Sequence, residues 1–121
     1  MTAKRESPVD DYLPLPATVF HILLSLGEGE RHGYALKREI LQRTGGKLNL
    51  GSGVLYGTIS RLLDDGLIEE SSERPDPHLD DARRRYYRLT PLGRRVARAE
   101  AMRLRDLVRL AAERLGFSES A

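Results

Sequence analysis

The sequence contains no cysteine and no tryptophan, and only 6% of its 121 residues are aromatic. The absence of cysteine excludes disulfides, thiolate metal sites and cysteine nucleophiles, and it fits a reducing compartment. Few aromatic residues leave little material for a ligand pocket built by ring stacking. The length accommodates one compact domain with one appended element, which excludes a two-domain enzyme.

Long hydrophobic runs are also absent. The longest apolar stretch, 19–26, contains a histidine and a serine and falls short of the roughly 20 apolar residues that a membrane span needs. The first eleven residues mix acidic and basic side chains around no apolar core, unlike a secretion signal. We therefore expect a cytoplasmic protein without a membrane partner.

Motifs for catalysis and metal binding are missing as well. The sequence has no glycine-rich phosphate loop followed by lysine, no G-x-S-x-G and no H-E-x-x-H. Its three histidines lack the mutual spacing of a metal site, and the aspartates around position 80 show no ligand spacing. We expect neither catalytic residues nor a metal nor a cofactor.

Positive charge is concentrated near the end of the chain, although the formal net charge is only +2. Residues 1–82 hold 9 basic and 14 acidic side chains, whereas residues 83–114 hold 11 basic and 3 acidic ones, and all 11 are arginine. The planar guanidinium group suits phosphate as well as carboxylate. This segment is either a solvated arginine-rich surface or a surface that binds a polyanion, and composition leaves both open.

Apolar spacing predicts three short helices in the first half of the chain, over 16–26, over 32–44, and from Ser52, as the cap, to Gly66. Alternation over 47–50 predicts one short strand. Residues 1–14 lack periodicity and contain two prolines, which predicts a flexible N-terminal arm.

The second half predicts a hairpin and a long helix. Residues 67–73 and 83–89 are expected to be strands around a polar loop. Thr90 and Pro91 begin a helix that extends to Leu115, where Gly116 ends it. The expected fold class is mainly α with a small β-hairpin. It comprises a winged helix-turn-helix over 15–89, a long C-terminal helix over 90–116 and a tail over 117–121.

The third predicted helix has the character of a recognition helix. With Leu55, Ile59 and Leu62 facing inward, a polar face points outward. The second helix of a helix-turn-helix lies in the DNA major groove, where hydroxyl groups and arginine contact phosphates and base edges. An ordinary amphipathic surface helix shows the same pattern. The candidate DNA contacts on this helix are Ser52, Tyr56, Thr58, Ser60 and Arg61.

The predicted return strand favours DNA binding. It carries four arginines beside Tyr86 and Tyr87, more positive charge than a structural strand needs, and backbone phosphates are the natural counter-charge. Alternation places Tyr87 in the core and Tyr86 outside. Acidic residues near the tip would repel phosphate, so the strand itself is the expected contact, through Arg83, Arg84, Arg85 and Arg88.

The last predicted helix carries a heptad seam. Packing onto its own domain can use Leu92 and Val96, but nothing else in the chain covers the far half. We expect a homodimer that places two recognition helices about 34 Å apart, on half-sites one turn of the duplex apart. The interface candidates are Ala97, Ala101, Leu104, Leu107, Val108, Ala111 and Leu115.

Several short motifs follow one another along the chain in a specific order. They are His32-Gly33-Tyr34, Gly53-Val54-Leu55-Tyr56, Arg61-Leu62, Gly66-Leu67-Ile68, and Arg85-Tyr86-Tyr87-Arg88-Leu89-Thr90 followed by Gly93. Over about residues 15–116 the chain resembles the PadR family of bacterial transcriptional regulators, in its shorter subgroup. The resemblance implies a winged-helix domain that binds double-stranded DNA, a dimer built through the C-terminal helix and repression from a palindromic operator. It also implies, in many members, release by a small effector.

The resemblance also assigns individual residues. It implies that Tyr56 contacts DNA at the start of the recognition helix and that Tyr34 packs or contacts the DNA backbone nearby. Gly57 stands where the family commonly has proline, and the chain lacks the tryptophan on which some members stack ligands. A winged helix whose arginine face binds an acidic protein, without specific DNA binding, is the alternative that the sequence leaves open.

Overall fold

The computed structural model describes residues 9–71 and 85–119. In these two ranges the chain is mostly helical, with one small antiparallel sheet, which confirms the predicted winged helix-turn-helix followed by a long helix. The elements in chain order are a 3₁₀ helix Asp10–Tyr12, α1 Ala17–Gly27, β1 Arg31–His32, α2 Gly33–Arg43, α3 Ser52–Asp64, β2 Ile68–Glu70, β3 Tyr86–Leu89 and α4 Pro91–Leu115.

The sheet has the order β1-β3-β2, with both pairings antiparallel. The predicted strand over 47–50 is wrong, because that segment pairs with none of the three strands of the sheet. Both edges of β3 are occupied, one by β2 and the other by β1, which sequence reasoning missed. The alternation of polar and apolar residues over 47–50 instead reflects packing, because Leu50 is buried and Leu48 packs against the core.

The core lies where α1, α2 and α3 meet the sheet and the first turns of α4. The apolar positions predicted to face inward on α3 are buried, and Tyr87, predicted to be a core residue, is 5% exposed. The buried apolar side chains are Ile22, Leu23, Leu26, Leu36, Ile40, Leu50, Leu55, Ile59, Leu62, Leu67, Ile68, Tyr87 and Val96.

The side chain of Arg43 links the first two α-helices. The Arg43 guanidinium on α2 donates to Ser25 Oγ at 2.6 Å and lies 3.1 Å from His21 Nδ1 on α1. Burial, together with the Arg43 charge, lowers the pKa of His21 below its ordinary value. The neutral imidazole therefore suits the folded state, and His21 serves the α1–α2 contact.

Helix ends agree with the sequence at α4 and differ at α3. The Thr90 hydroxyl accepts from the backbone N–H of Gly93 at 3.0 Å, and Gly116 ends α4 in the left-handed conformation with φ 76°. The predicted Ser52 cap is wrong. Gly51 is the N-cap, because its carbonyl already accepts from the N–H of Leu55 at 2.9 Å, and Ser52 is the first helical residue.

The segment before α1 lies on the domain. We expected residues 1–14 to form a flexible arm, but the described part, 9–14, packs on the core through Val9, Tyr12 and Leu13. Tyr12 also donates its hydroxyl to the carbonyl of Asp65 at 3.4 Å. Among the described helices, none combines the length and the apolar character that a membrane crossing requires.

Candidate nucleic-acid interface

α3 presents the outward face that the sequence predicts. Ser52, Tyr56, Ser60 and Arg61 are exposed, and Thr58 is half-buried. Within the described parts of the chain Arg61 forms no ion pair, so its positive charge is available to an external anion. Thr58 differs from the prediction of a free hydroxyl donor, because its Oγ1 donates to the carbonyl of Val54 at 2.7 Å.

Tyr56 packs directly on the backbone of α2. A Cβ added at Gly33 would lie 2.6 Å from the Tyr56 hydroxyl oxygen and 2.8 Å from the ring carbon that bears it, which explains why glycine follows His32. Tyr56 remains 42% exposed. The pKa of Tyr87 is raised, first by burial, then by the Glu70 carboxylate and then by the nearby Tyr56 phenol. Tyr56 therefore packs on α2 with one part of its side chain and exposes the other part to solvent.

Tyr34 belongs to an aromatic and cationic cluster at the start of α2. It is 59% exposed, and the Arg38 guanidinium lies 5.8 Å from its ring centroid. The His32 ring stacks on Tyr34 at 6.4 Å and meets Tyr86 edge-on at 5.3 Å, while His32 Nδ1 caps α2 by accepting from Ala35. Sequence reasoning missed Arg38, although its position four residues after Tyr34 places the two on one helix face.

Arg85, just before β3, and Arg88, within it, are exposed but paired with carboxylates. Arg85 lies 3.0 Å from Glu70, and Arg88 lies 2.8 Å from Glu69 and 3.8 Å from Glu30. Exposed ion pairs of this kind contribute little to stability, so phosphate oxygens can replace the carboxylates at low cost. The other two predicted contacts, Arg83 and Arg84, lie outside the described residues.

The predicted interface on α4 divides into a covered and an uncovered part. Ala97 is half-buried against the domain's own core. Leu104 and Ala111 are half-buried, whereas Ala101, Leu107, Val108 and Leu115 are exposed, Leu115 by 75%. Leu110 and Phe117, which we did not assign to the interface, are also exposed. The face that α4 buries through Gly93, Val96 and Glu100 thus continues outward as an uncovered apolar stripe.

A buried carboxylate, missed by sequence reasoning, ties α4 to the start of α1. Glu100 is 2% exposed and accepts two hydrogen bonds from Arg103, at 2.8 and 2.7 Å. These bonds hold the pKa of Glu100 below its ordinary value against the opposing effect of burial, and a bond from the Leu15 backbone acts in the same direction. The sequence signal is its position, four residues after Val96 and seven after Gly93 on one helix face.

Replacement of Glu100 by glutamine is expected to lower the free energy of unfolding at pH 7 by about 1–2 kcal/mol. Charged hydrogen bonds would be lost, and the figure is kept low because Arg103 is partly in solvent. Because the pKa is depressed in the folded chain, Glu100 stabilises the fold above pH 4.5, its ordinary pKa, and this contribution disappears as pH falls through the folded value.

Thermal unfolding followed by circular dichroism at pH 7 and pH 3.5 measures this effect. Between these conditions the native chain should lose more stability than Glu100→Gln does. The matched control is Glu113→Gln, on the exposed part of α4, which should follow the native chain. Equal acid sensitivity of the native chain and Glu100→Gln would show that Glu100 does not carry the effect.

Metal ligation has no support in the described ranges, where no group of three or more histidine and acidic side chains could hold an ion. The acidic positions near the predicted hairpin tip lie outside those ranges.

Comparisons with known proteins agree with this geometry. Residues 22–99 match the family described as "Transcriptional regulator PadR-like family". The chain is 38% identical over 93 residues to "Transcriptional regulator Rv3488" of Mycobacterium tuberculosis, which is 77% of this chain and 80% of that protein. The crystal structure of a PadR family transcription regulator from Clostridium difficile R20291 shares the fold, with a TM-score of 0.68, 22% identity, and coverage of 84% of this chain and 100% of that one.

One relative is much longer. The chain is 36% identical over 80 residues, or 66% of its length, to the "Uncharacterized 37.1 kDa protein in transposon TN4556" of Streptomyces fradiae. It spans only 21% of that protein.

Proposed function

The chain belongs to the PadR-like family of transcriptional regulators, and from this premise we propose that it is a homodimeric repressor that binds a palindromic operator in duplex DNA. Regulators of this kind act by binding DNA and not by catalysis. The observation that carries the proposal is the outward surface of α3, which exposes both Tyr56 and Arg61, the latter without an ion pair among the described residues.

The two helices of the helix-turn-helix, α2 and α3, contact different parts of the DNA. α3 enters the major groove, where Arg61 reaches a guanine edge or a phosphate and Ser52 and Ser60 offer hydroxyl groups. α2 crosses the sugar–phosphate backbone, where Tyr34 and Arg38 meet phosphates. Support comes from the exposure of all five side chains.

The hairpin of β2 and β3, which is the wing of the winged helix, supplies further phosphate contacts through the arginines in and just before β3. Arg85 and Arg88 exchange their carboxylate partners for phosphates, and Arg83 and Arg84, which precede them in the sequence outside the described residues, add further positive charge. Because several phosphates are neutralised, the affinity should fall steeply as the salt concentration rises.

The dimer forms through the uncovered part of α4. In this proposal residues 15–89 bind DNA, residues 90–116 hold the two protomers together and residues 117–121 form a tail. The apolar stripe from Ala101 to Leu115 is the support, because such a surface is stabilised by a partner that covers it. A small effector, which the family resemblance adds, would act through this interface, and the regulator would work in the cytoplasm with its DNA.

A direct test is fluorescence anisotropy with the full chain and its own promoter, combined with selection of bound sequences from random duplexes. We expect salt-dependent binding and recovery of an inverted repeat with half-sites a duplex turn apart or a multiple of it. A monomer in sedimentation that ignores duplex DNA would reject the proposal and support the acidic-protein alternative.

Replacement of Arg61 by glutamine should weaken operator binding at least fivefold, because a side chain of this kind on a base edge contributes about 1–3 kcal/mol. The melting temperature should hardly change, since Arg61 has no ion-pair partner in the described parts of the chain. Tyr56→Phe, which keeps the ring on Gly33, should weaken binding by a smaller factor. Anisotropy titrations and thermal melts measure both effects.

The matched control is Arg114→Gln, in the last turn of α4 and far from α3. It should bind the operator like the native chain. Unchanged affinity of Arg61→Gln would remove Arg61 from the interface, and a large fall in its melting temperature would mark the residue as structural.

A further inference from the structure

The first two turns of α3 carry no charge on their exposed face. Residues 52–60 contain no acidic or basic side chain, and Val54 is 58% exposed among glycine, serine and threonine neighbours. Helix faces that meet only water normally carry charged residues. The surface of α3 is therefore suited to a partner that is partly apolar.

Two glycines on this face have no role inside the protein. A Cβ added at Gly53 or at Gly57 would meet nothing within 4 Å, and neither residue has a positive φ. Glycine inside a helix weakens it relative to alanine. Neither packing nor backbone conformation compensates for this loss, so the bare backbone at these positions points to close approach by an external surface.

The glycines form the floor of a groove of about 430 Å³ between α3 and the start of α1. Val54 and Thr58 line it on one side, Pro16 and Val19 on the other, and Arg61 also contributes. Because the Thr58 hydroxyl donates to the carbonyl of Val54, the methyl group is the part of Thr58 left to contact a partner. The groove thus combines apolar side chains and two threonines, Thr18 and Thr58, with the positive charge of Arg61, which has no ion pair among the described residues.

This combination fits the major groove of DNA. The 5-methyl group of thymine is the apolar group that base edges present there, and phosphates or guanine edges lie within reach of an arginine beside it. The bare floor suits the close approach that a contact with a methyl group requires.

We propose that Val54, together with the Thr58 methyl group, reads thymine 5-methyl groups in each operator half-site, and that Gly53 and Gly57 permit the necessary approach. The inference rests on the proposed DNA binding and deepens it. Val54 is a residue that determines specificity, and it selects thymine through an apolar contact.

Uracil in place of thymine tests the proposal, because it keeps every hydrogen-bonding group and lacks only the methyl group. In the operator recovered by selection, each thymine is replaced singly by deoxyuridine, and affinity is measured by anisotropy. We expect about fourfold weaker binding at one or two thymines in each half-site, the factor that burial of one methyl group accounts for. The double variant Val54→Ala, Thr58→Ser, which removes the methyl groups of both contacts and keeps the Thr58 hydroxyl bond to the Val54 carbonyl, should bind the thymine and uracil duplexes with equal affinity.

Ser60→Ala is the control on the same helix face, and it should keep the discrimination between thymine and uracil. A second variant, Gly57→Ala, should bind the operator at least fivefold more weakly while melting at the same or a higher temperature. Opposite effects on affinity and stability are expected because the added methyl group fills the groove floor but favours the helix.

The outcomes separate this inference from the proposed function. If the native chain binds the operator but no uracil substitution weakens binding, the proposed methyl contact is wrong, whereas the proposed function as a DNA-binding regulator stands. The contact is also wrong if the double variant Val54→Ala, Thr58→Ser still distinguishes thymine from uracil. If no selected duplex is bound at all, the proposed function itself fails, and the inference with it.

Discussion

Replacement of Gly93 by alanine is expected to lower the melting temperature by about 10 °C, equivalent to about 3 kcal/mol in a domain of this size. A Cβ at position 93 would lie 1.9 Å from the Leu67 carbonyl oxygen and 2.9 Å from its carbon, and both are backbone atoms. Gly93 is buried. The first turn of α4 must therefore move away from the Leu67 backbone, just before β2, to admit one methyl group.

The neighbouring hydrogen bonds make this movement costly. The Leu67 carbonyl accepts from the backbone N–H of Thr90 at 3.1 Å, and the Thr90 hydroxyl donates to the carbonyl of Gly66 at 2.6 Å. Both bonds hold the start of α4 against the end of the α3–β2 turn, so a shift that relieves the clash strains both.

Thermal melts at one fixed protein concentration measure the effect, because the proposed dimer would make the melting temperature depend on concentration. The matched control is Gly57→Ala, the same change at a helical glycine whose added Cβ meets nothing within 4 Å. It should melt at or slightly above the native temperature. A Gly93→Ala chain that melts like the native one would show that α4 adjusts freely at this contact.

Replacement of Val108 by glutamate is expected to dissociate the proposed dimer and to weaken operator binding at least a hundredfold. Val108 is 46% exposed in the single chain, so the substitution leaves the fold of the protomer intact. In a two-fold interface the carboxylate appears twice on one apolar seam, and an unpaired charge buried there is strongly unfavourable. A monomer then reaches only one half-site and loses the gain from joint binding.

Sedimentation equilibrium at about 10 μM and anisotropy with the operator give the two readouts. The control is Met102→Glu, also an exposed apolar residue of α4, at 48% exposure. It lies two residues before Leu104 and thus on the opposite side of the helix, so the dimer and its affinity should persist. If Val108→Glu remains a dimer with native affinity, the protomers meet through another surface.

Sequence periodicity predicted the four α-helices, β2 and β3, but it missed β1 and the 3₁₀ helix, and its strand over 47–50 is wrong. The inward positions of α3 and the burial of Tyr87 followed from helical and strand spacing, because these patterns record which side of an element meets the core. The start of α4 at Thr90 and its end at Gly116 followed from local backbone chemistry. Over 47–50 the alternation reflected the burial of Leu50 and not strand pairing.

The candidate site was predicted less completely than the fold. Exposure of Tyr56 and Arg61 followed from spacing, but the packing of Tyr56 on Gly33 did not. Nor did the sequence reveal that Arg85 and Arg88 lie beside Glu70 and Glu69, because those carboxylates are 15 and 19 positions away. Such contacts depend on sheet register, which local patterns leave undetermined.

By itself the sequence determined the order of the four α-helices and the hairpin of β2 and β3, the inward side of α3 and of β3, and the concentration of arginine after position 82. Spacing, capping and composition are local properties, readable along one chain. Tertiary structure alone decided that Arg31–His32 forms the third strand, that Glu100 is buried against the start of α1, and that Gly33 and Gly93 admit close neighbours. Each of these depends on the distance between segments far apart in sequence, which only the packed chain defines.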